Sequence, residues 1–285
     1  MPVVKNKLIK PFLKWAGGKR QLVPEILNCH IPKDWKPKSR TYFEPFIGGG
    51  AVLFALQPTK ATISDSNKEL INCYEVVKDH VDELIEDLKQ HENEESYYYK
   101  IRDWDRDNNC QGKSDVQRAS RIIFLNKTCF NGLFRVNSSG QFNVPFGRYK
   151  NPNILDDAVL RAVSKYLNNN QINIVNGDFQ SVVIEAQKGD FIYFDPPYDP
   201  VSNTASFTGY DVNGFTRKEQ ERLKETADEL SRKGCYILIS NSYTQFIREL
   251  YRDGYISSKI SAIRAINSDG SKRGRVDEIL IKNYE

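Results

Sequence analysis

FIYFDPPY, residues 191–198, decides how this chain is read. Phe191, Ile192, Tyr193 and Phe194 run without a polar interruption into an acid and two prolines. So short an apolar run, closed by turn residues, reads as a strand buried on both faces, as in the interior of a parallel sheet. Asp195 then stands at the strand's C-terminal end, the edge at which open α/β sheets hold ligands. Pro196 and Pro197 fix φ, remove two main-chain donors and push the residue before each toward extended geometry. The strand therefore ends in a stiff spur of acceptors: the Asp195 carboxylate and the Asp195 and Pro196 carbonyls, with the Tyr198 ring beside them.

Outward from this strand, similar β-branched and aromatic runs occur at 41–46, 61–64, 172–175 and 235–239. Helical patterns begin at Leu53 and cover 68–77, 179–187 and 217–232. Strand alternating with helix predicts an open, doubly wound α/β sheet. The alternation lapses between about 78 and 166, where helices at 81–91, 96–105, 114–126 and 156–168 surround the Gly- and Asn-rich stretch CFNGLFRVNSSGQFNVPFGRYKNPN. The expected organisation is one discontinuous domain, 1–77 with 167–285, and an inserted module, 78–166. Two polar, Gly-rich loops, 199–214 and 267–275, have the length of functional or mobile segments.

Composition narrows the class without choosing a function. With 285 residues, 39% hydrophobic and 27% charged, the chain can bury a sizeable core. A net charge of +4 is too mild to signal nucleic acid unless the basic residues are segregated. Five cysteines without a CxxC pair, beside three histidines, signal neither a disulfide framework nor a zinc site, and no metal is expected. Free thiols, no signal-peptide pattern and no membrane-length apolar run together predict a cytoplasmic protein.

The acceptor spur has a chemical use. An exocyclic amine on a base has its lone pair delocalised into the ring, and its nucleophilicity rises when both N–H groups donate to fixed acceptors. Negative charge nearby also stabilises the positive charge that nitrogen gains during methyl transfer. Tyr198 can stack on the face of such a base. Taken alone, Asp-Pro-Pro is equally readable as a strand-ending turn.

YFEPFIGGGAVLF, residues 42–54, repeats the strand, glycine, helix order, and Gly48, Gly49 and Gly50 let the backbone pass close to a ligand. Neither GxGxxG nor GxxxxGK[ST] is present, which argues against a phosphate-cradling NTPase. Asp65, ending the next strand, is placed to accept ribose hydroxyls, although an acid there also serves as a helix cap. FLKWAGGKR, residues 12–20, offers an apolar surface at Trp15, a turn at Gly17-Gly18 and a cation at Lys19 suited to a ligand carboxylate.

FLKWAGGK, FEPFIGGG, the strand ending in Asp65, and DPPY follow one another as they do in the Dam/DpnII-type DNA adenine methylases. The chain resembles that D12 class, whose members methylate adenine N6 in GATC, from about residue 10 to its end. NKTCFNGLFRVN and GQFNVPFGRYKNP resemble the class's target-recognition region. The resemblance implies a Rossmann-like methyltransferase with a mixed, mostly parallel sheet and an inserted helical DNA-recognition module. It implies S-adenosyl-L-methionine as cofactor, contacted by Trp15, Lys19, Asp65 and Asp195 and lined by Glu44, Phe46, Gly48, Gly50 and Asp178. Asp195, Pro196, Pro197 and Tyr198 become catalytic.

For duplex DNA, the resemblance assigns Arg135 to a guanine, Phe130 to a wedge in the base stack, and Asn131, Leu133 and Pro145 to neighbouring base contacts. Lys14 matches a lysine that reaches the first guanine, and Lys127 stands where relatives carry arginine, as a phosphate contact. Physics makes the same choices sensible. Arginine donates a bidentate pair to guanine O6 and N7, an inserted ring lowers the cost of extruding a base, and the cluster Arg148, Tyr149, Lys150 supplies sequence-independent phosphate affinity. Against this, Phe130, Leu133 and Phe134 are also readable as ordinary core.

The expected reaction is in-line attack of a flipped adenine on the sulfonium methyl, without metal or covalent enzyme intermediate. The five cysteines lie away from DPPY in sequence, which argues against methylation of a cytosine ring carbon. Two other readings stay open: an amino-methyltransferase acting on RNA or a protein glutamine amide, and a catalytically silent DNA-binding module. Arg135 with Phe130 favours duplex DNA over the first, and intact Lys19, Asp65 and Asp195 speak against the second. The resemblance also admits pairing with a cognate restriction endonuclease.

Overall fold

Seven strands form one sheet in the order β3-β2-β1-β4-β5-β7-β6. A computed structural model describes residues 5–15, 19, 22–106, 112–201, 214–263 and 275–285. Gly17-Gly18, Arg20, Cys110, most of the loop 199–214 and nearly all of 267–275 lie outside the described residues.

The central strands are β1 (Tyr42–Glu44), β2 (Lys60–Asp65), β3 (Gln171–Asn176), β4 (Phe191–Phe194) and β5 (Tyr236–Ser242), all paired parallel. β6 (Ile256–Ile263) and β7 (Arg275–Lys282) add an antiparallel edge. The sheet is thus mixed and mostly parallel, as expected of a Rossmann-like methyltransferase fold. Chain order reverses between β1 and β4, so the topological switch point, where such sheets bind ligands, lies outside the ends of those two strands.

The four residues of β4 explain why it is central. All are buried, with Phe191 and Tyr193 in the core on one face of the sheet and Ile192 and Phe194 in the core on the other. Burying each stabilises the fold by about 1.5–3 kcal/mol. The second core is closed by α8 (Phe179–Val182), α9 (Arg217–Arg232) and α10 (Gln245–Leu250) through Phe179, Leu223, Leu230 and Ile247. The first is covered by α1 (Val23–Cys29), α2 (Ala51–Leu56) and α3 (Lys68–Asp79), and it continues into α4 (Val81–Leu88), α5 (Glu95–Arg102), α6 (Asp115–Thr128) and α7 (Asp157–Asn169). Residues of 78–166 therefore share one hydrophobic cluster with the sheet.

Several boundaries depart from the sequence reading. The helix expected over 179–187 stops at Val182, because the chain bends back into β4 around Asp190, whose carboxylate accepts from the Gln187 and Thr41 amides at 2.9 Å each. β5 runs to Ser242, three residues beyond the apolar run. β6, ISSKISAI, and β7, RVDEILIK, mix apolar with polar residues, and the longest apolar run in either is 279–281. The stretch expected to be irregular forms a hairpin-like loop, with bridges Cys129 to Phe146 and Val136 to Phe142. Asp105 ties that loop to the helices: it accepts from the Phe142 amide at 2.8 Å and pairs with buried Arg121 at 2.8 Å.

His91 gives this helical region a pH dependence. Its ring stacks on Phe124 at 4.4 Å and its nitrogens lie 3.0 Å from the Tyr97 and Ser120 hydroxyls. Burial pushes the imidazole down to about 4, opposed by Asp87. The unfolded histidine binds its proton near pH 6.5 and the folded one only near 4, so this contribution is present above 6.5 and is lost as pH falls through that window. Urea unfolding at pH 7 and pH 4.5 should show about 2 kcal/mol of loss from this residue. His91→Asn should remove that part of the slope; an unaltered slope would contradict the assignment.

Among the described residues no helix is long and apolar enough to cross a membrane, and no group of three or more His, Cys, Asp or Glu could hold a metal ion.

Candidate active site

Asp195 leaves the end of β4 at the switch point, and three elements meet its carboxylate or the ring beside it. From β5, the Ser240 hydroxyl donates to Asp195 Oδ1 at 2.7 Å, and the Tyr193 hydroxyl lies 3.0 Å from Ser240 Oγ. From the N-terminal segment, buried Lys19 places Nζ 2.8 Å from Asp195 Oδ1 and 4.5 Å from the Tyr198 ring centre. From β7, Glu278 accepts the Tyr198 hydroxyl at 2.8 Å. Burial first, then Asp195 and Glu278, raises the Tyr198 phenol well above its ordinary value, so it remains a neutral donor.

Glu44 ends β1 within the same group. It is buried and accepts the Tyr42 hydroxyl at 2.8 Å. Burial pushes its carboxyl up to about 8; the Tyr42 hydrogen bond opposes this and the Asp195 charge adds to it. At neutral pH Glu44 is thus mostly protonated.

The glycine turn after β1 is built against Trp15. Gly48 and Gly50 have φ of +47° and +70°, and a Cβ on Gly48 would lie 2.9 Å from the Trp15 ring. A Cβ on Gly50 would lie 2.7 Å from the Tyr74 hydroxyl, which donates to the Gly48 carbonyl at 2.9 Å. The turn is pinned to β2 as well, since the Gly48 amide donates to Asp65 Oδ2 at 3.2 Å. Asp65 is not the N-cap of α3: Asn67 takes that role, accepting from the Glu69 and Leu70 amides. Beyond β3, Asp178 caps α8 and binds Arg222 through both carboxylate oxygens at 2.9 and 2.7 Å, which holds its carboxyl below the usual range. Phe46 stacks on Phe179 at 5.4 Å alongside. Trp15, Lys19, Glu44, Phe46, Gly48, Gly50, Asp65, Asp178 and Asp195 therefore lie on or next to the C-terminal ends of β1–β4.

The residues assigned to DNA divide by exposure. Phe130 is 46% exposed, an unusual position for a large apolar ring, whereas Phe134 is buried and stacked on Trp15 at 4.9 Å. Asn131 and Gly132 turn the chain between them with φ of +57° and +64°, a conformation that Asn and Gly tolerate best. Arg135 is exposed, with Nε donating to Asn143 Oδ1 at 2.8 Å and Nη2 to the Asn143 carbonyl at 3.2 Å. Leu133 is half-buried, Pro145 is exposed, and Lys127 lies in the last turn of α6. Arg148 is exposed and pairs with Glu95 at 3.5 Å; Lys14 Nζ stands 5.2 Å from the Tyr149 ring centre. Buried Asn126 joins the two regions, accepting from the Lys14 amide at 2.8 Å and donating to the Lys14 carbonyl at 2.6 Å and the Gly132 carbonyl at 3.1 Å.

Sequence reasoning missed Ser240, Glu278, Tyr193, Phe179 and Asn126. The signal for Ser240 was present: ISNS, residues 239–242, ends an apolar strand in polar residues at the sheet's ligand edge. The cysteines fit the free-thiol reading where described, and burial pushes Cys129 up to about 12 and Cys235 to about 11, leaving them poor nucleophiles.

A mostly parallel sheet carrying an acid, two prolines and a tyrosine at its switch point defines a Rossmann-like methyltransferase. The chain belongs to the D12 class of N6 adenine-specific DNA methyltransferases, whose family model matches residues 15–266. It is 49% identical to the type II methyltransferase M1.LlaDCHI of Lactococcus lactis subsp. cremoris over 98% of both chains. It is 45% identical to the type II methyltransferase M.MjaIII of Methanocaldococcus jannaschii, covering 97% of this chain and 99% of that one. The DNA adenine methylase of Escherichia coli K12 is 34% identical over 95% of this chain and 94% of its own. The protein is a DNA adenine methyltransferase, which sets aside the silent-binder reading.

Proposed function

We propose that the chain transfers a methyl group from S-adenosyl-L-methionine to adenine N6 within GATC in duplex DNA, after rotating the adenine out of the helix. The observation that carries this reading is the Asp195 carboxylate, fixed by Ser240 and Lys19 beside the Tyr198 ring at the sheet's switch point.

The donor set suits the cofactor. Phe46 offers a ring for its adenine, Asp65 and Asp178 offer acceptors for its ribose and base, and Lys19 offers a cation for its carboxylate, beside the turn at Gly48 and Gly50. When bound, it supplies a methyl group on a sulfonium, already a good leaving group. The protein's part is placement and charge. Tyr198 stacks on the flipped base, and Asp195 and the Pro196 carbonyl accept from the amine, whose lone pair is thereby turned toward the methyl group. Residues 78–166 act as the target-recognition domain and the rest of the chain as the catalytic domain. There, Phe130 enters the base stack, Arg135 reads a guanine, Lys14 reaches the other, Asn131, Leu133 and Pro145 line the bases, and Lys127 and Arg148 hold phosphates. Two relatives named type II methyltransferases favour pairing with a cognate restriction endonuclease as the setting.

Duplexes that differ only in carrying GATC or GTTC, offered with methyl-labelled S-adenosylmethionine, test this reading. Label is expected in the first alone, and equal labelling would overturn the assigned specificity.

A further inference from the structure

Two consecutive prolines remove two main-chain donors from the catalytic spur, which leaves the peptides around Tyr198 to be oriented largely from outside it. The structure supplies one pair of side chains at that point. Gln220, on α9, donates through Nε2 to the Pro197 carbonyl at 2.8 Å. Asn241, on β5, donates through Nδ2 to Gln220 Oε1 at 3.0 Å, and its own Oδ1 accepts the Asp199 amide at 3.0 Å and the Ser242 amide at 2.8 Å. Both side chains are buried, Gln220 being 1% and Asn241 0% exposed. The peptide before Tyr198 is thus held at its carbonyl and the peptide after it at its N–H, by two amides that bind each other. Arg217, one turn earlier on α9, locks the fully buried Asp199 carboxylate at 3.0 Å.

We infer that Gln220 and Asn241 are positioning residues for the methyl-transfer step, which set the angle of the Tyr198 ring through the peptides on either side of it. A core that needed only to be filled would be served by apolar side chains, because buried polar groups stabilise little beyond what they lose in desolvation. The pair instead satisfies the backbone atoms on either side of the stacking ring. Glu278 then fixes the far end of that ring through its hydroxyl. The inference rests on the proposed role of Tyr198 as the platform for a flipped adenine.

Gln220→Glu keeps the size and the acceptor toward Asn241 but replaces the donor to Pro197 with an oxygen. It is expected to lower kcat about tenfold or more while KM for DNA stays within about twofold, and Asn241→Asp should act alike. Rates are taken per cofactor-binding site counted by calorimetry, so misfolded protein does not enter them. A duplex with 2-aminopurine at the target position adds a readout that a merely structural role would not move. Stacking on Tyr198 should quench its emission in the wild type, and both variants should restore it. Wild-type kcat and wild-type quenching in folded Gln220→Glu would overturn the inference. No rise in emission on binding to Tyr198→Ala, where a flipped base has no ring to quench it, would instead overturn the flipped-base reading on which it rests.

Discussion

Asp195→Ala is expected to lower kcat by about 10²–10³-fold or more while specific DNA binding survives. The change removes the acceptor for the target amine and the negative charge beside the nitrogen that becomes positive. It also removes the carboxylate that lies 2.8 Å from Lys19 Nζ, on a side chain 7% exposed. Removing one side of a buried ion pair is destabilising, so a lower melting temperature should accompany the kinetic loss. Asp195→Asn separates the two effects, because it keeps an acceptor for the Ser240 hydroxyl while removing the charge. Single-turnover rates and filter binding on the same preparations measure transfer and DNA affinity independently. Turnover retained by Asp195→Ala would refute the role assigned to this residue.

Arg135→Ala should cost about 1–3 kcal/mol of discrimination at one base pair, roughly 5- to 150-fold in kcat/KM. Asn143 holds the guanidinium through its side chain and its carbonyl, so the fork is already oriented before DNA arrives and little side-chain freedom remains to be lost. The measurement compares kcat/KM on duplexes substituted at one position of GATC at a time. A loss confined to one guanine supports base reading. A uniform loss over all duplexes would make Arg135 a phosphate contact.

The parts of the fold legible in the sequence are those whose signals are local. FIYF gave β4 to the residue because every position is apolar, and the helix over 217–232 was equally plain because its buried positions Gln220, Leu223, Ala227 and Leu230 recur at helical spacing. The antiparallel edge was not legible, since β6 and β7 mix apolar with polar residues and take their place only through pairing, β7 with β5 and β6 with β7. Local patterning also leaves Phe130 and Phe134 alike. Their fates separate only because Asn131 and Gly132 turn the chain between them and Trp15 receives one ring.

The candidate site shows the same division. Asp195, Tyr198, Gly48, Gly50 and Asp65 stand in short motifs and were readable as a group. Gln220 and Glu278 come from two distant elements and act on the motif through single hydrogen bonds, so nothing in their own neighbourhoods marks them, whereas Ser240 and Asn241 stand in the polar strand end ISNS. Asp65 illustrates a partial reading: it does lie at the tip of the second strand, but its carboxylate already accepts from the Gly48 and Asn67 amides, and the cap it was weighed against belongs to Asn67.

The most direct test of the account carries the two-duplex assay to the nucleoside level. Wild-type protein, methyl-labelled S-adenosylmethionine and the GATC or GTTC duplex are incubated, and the labelled DNA is digested and separated. All label is predicted in N6-methyldeoxyadenosine, and only from GATC. Label on cytosine, or equal label from both duplexes, would contradict it.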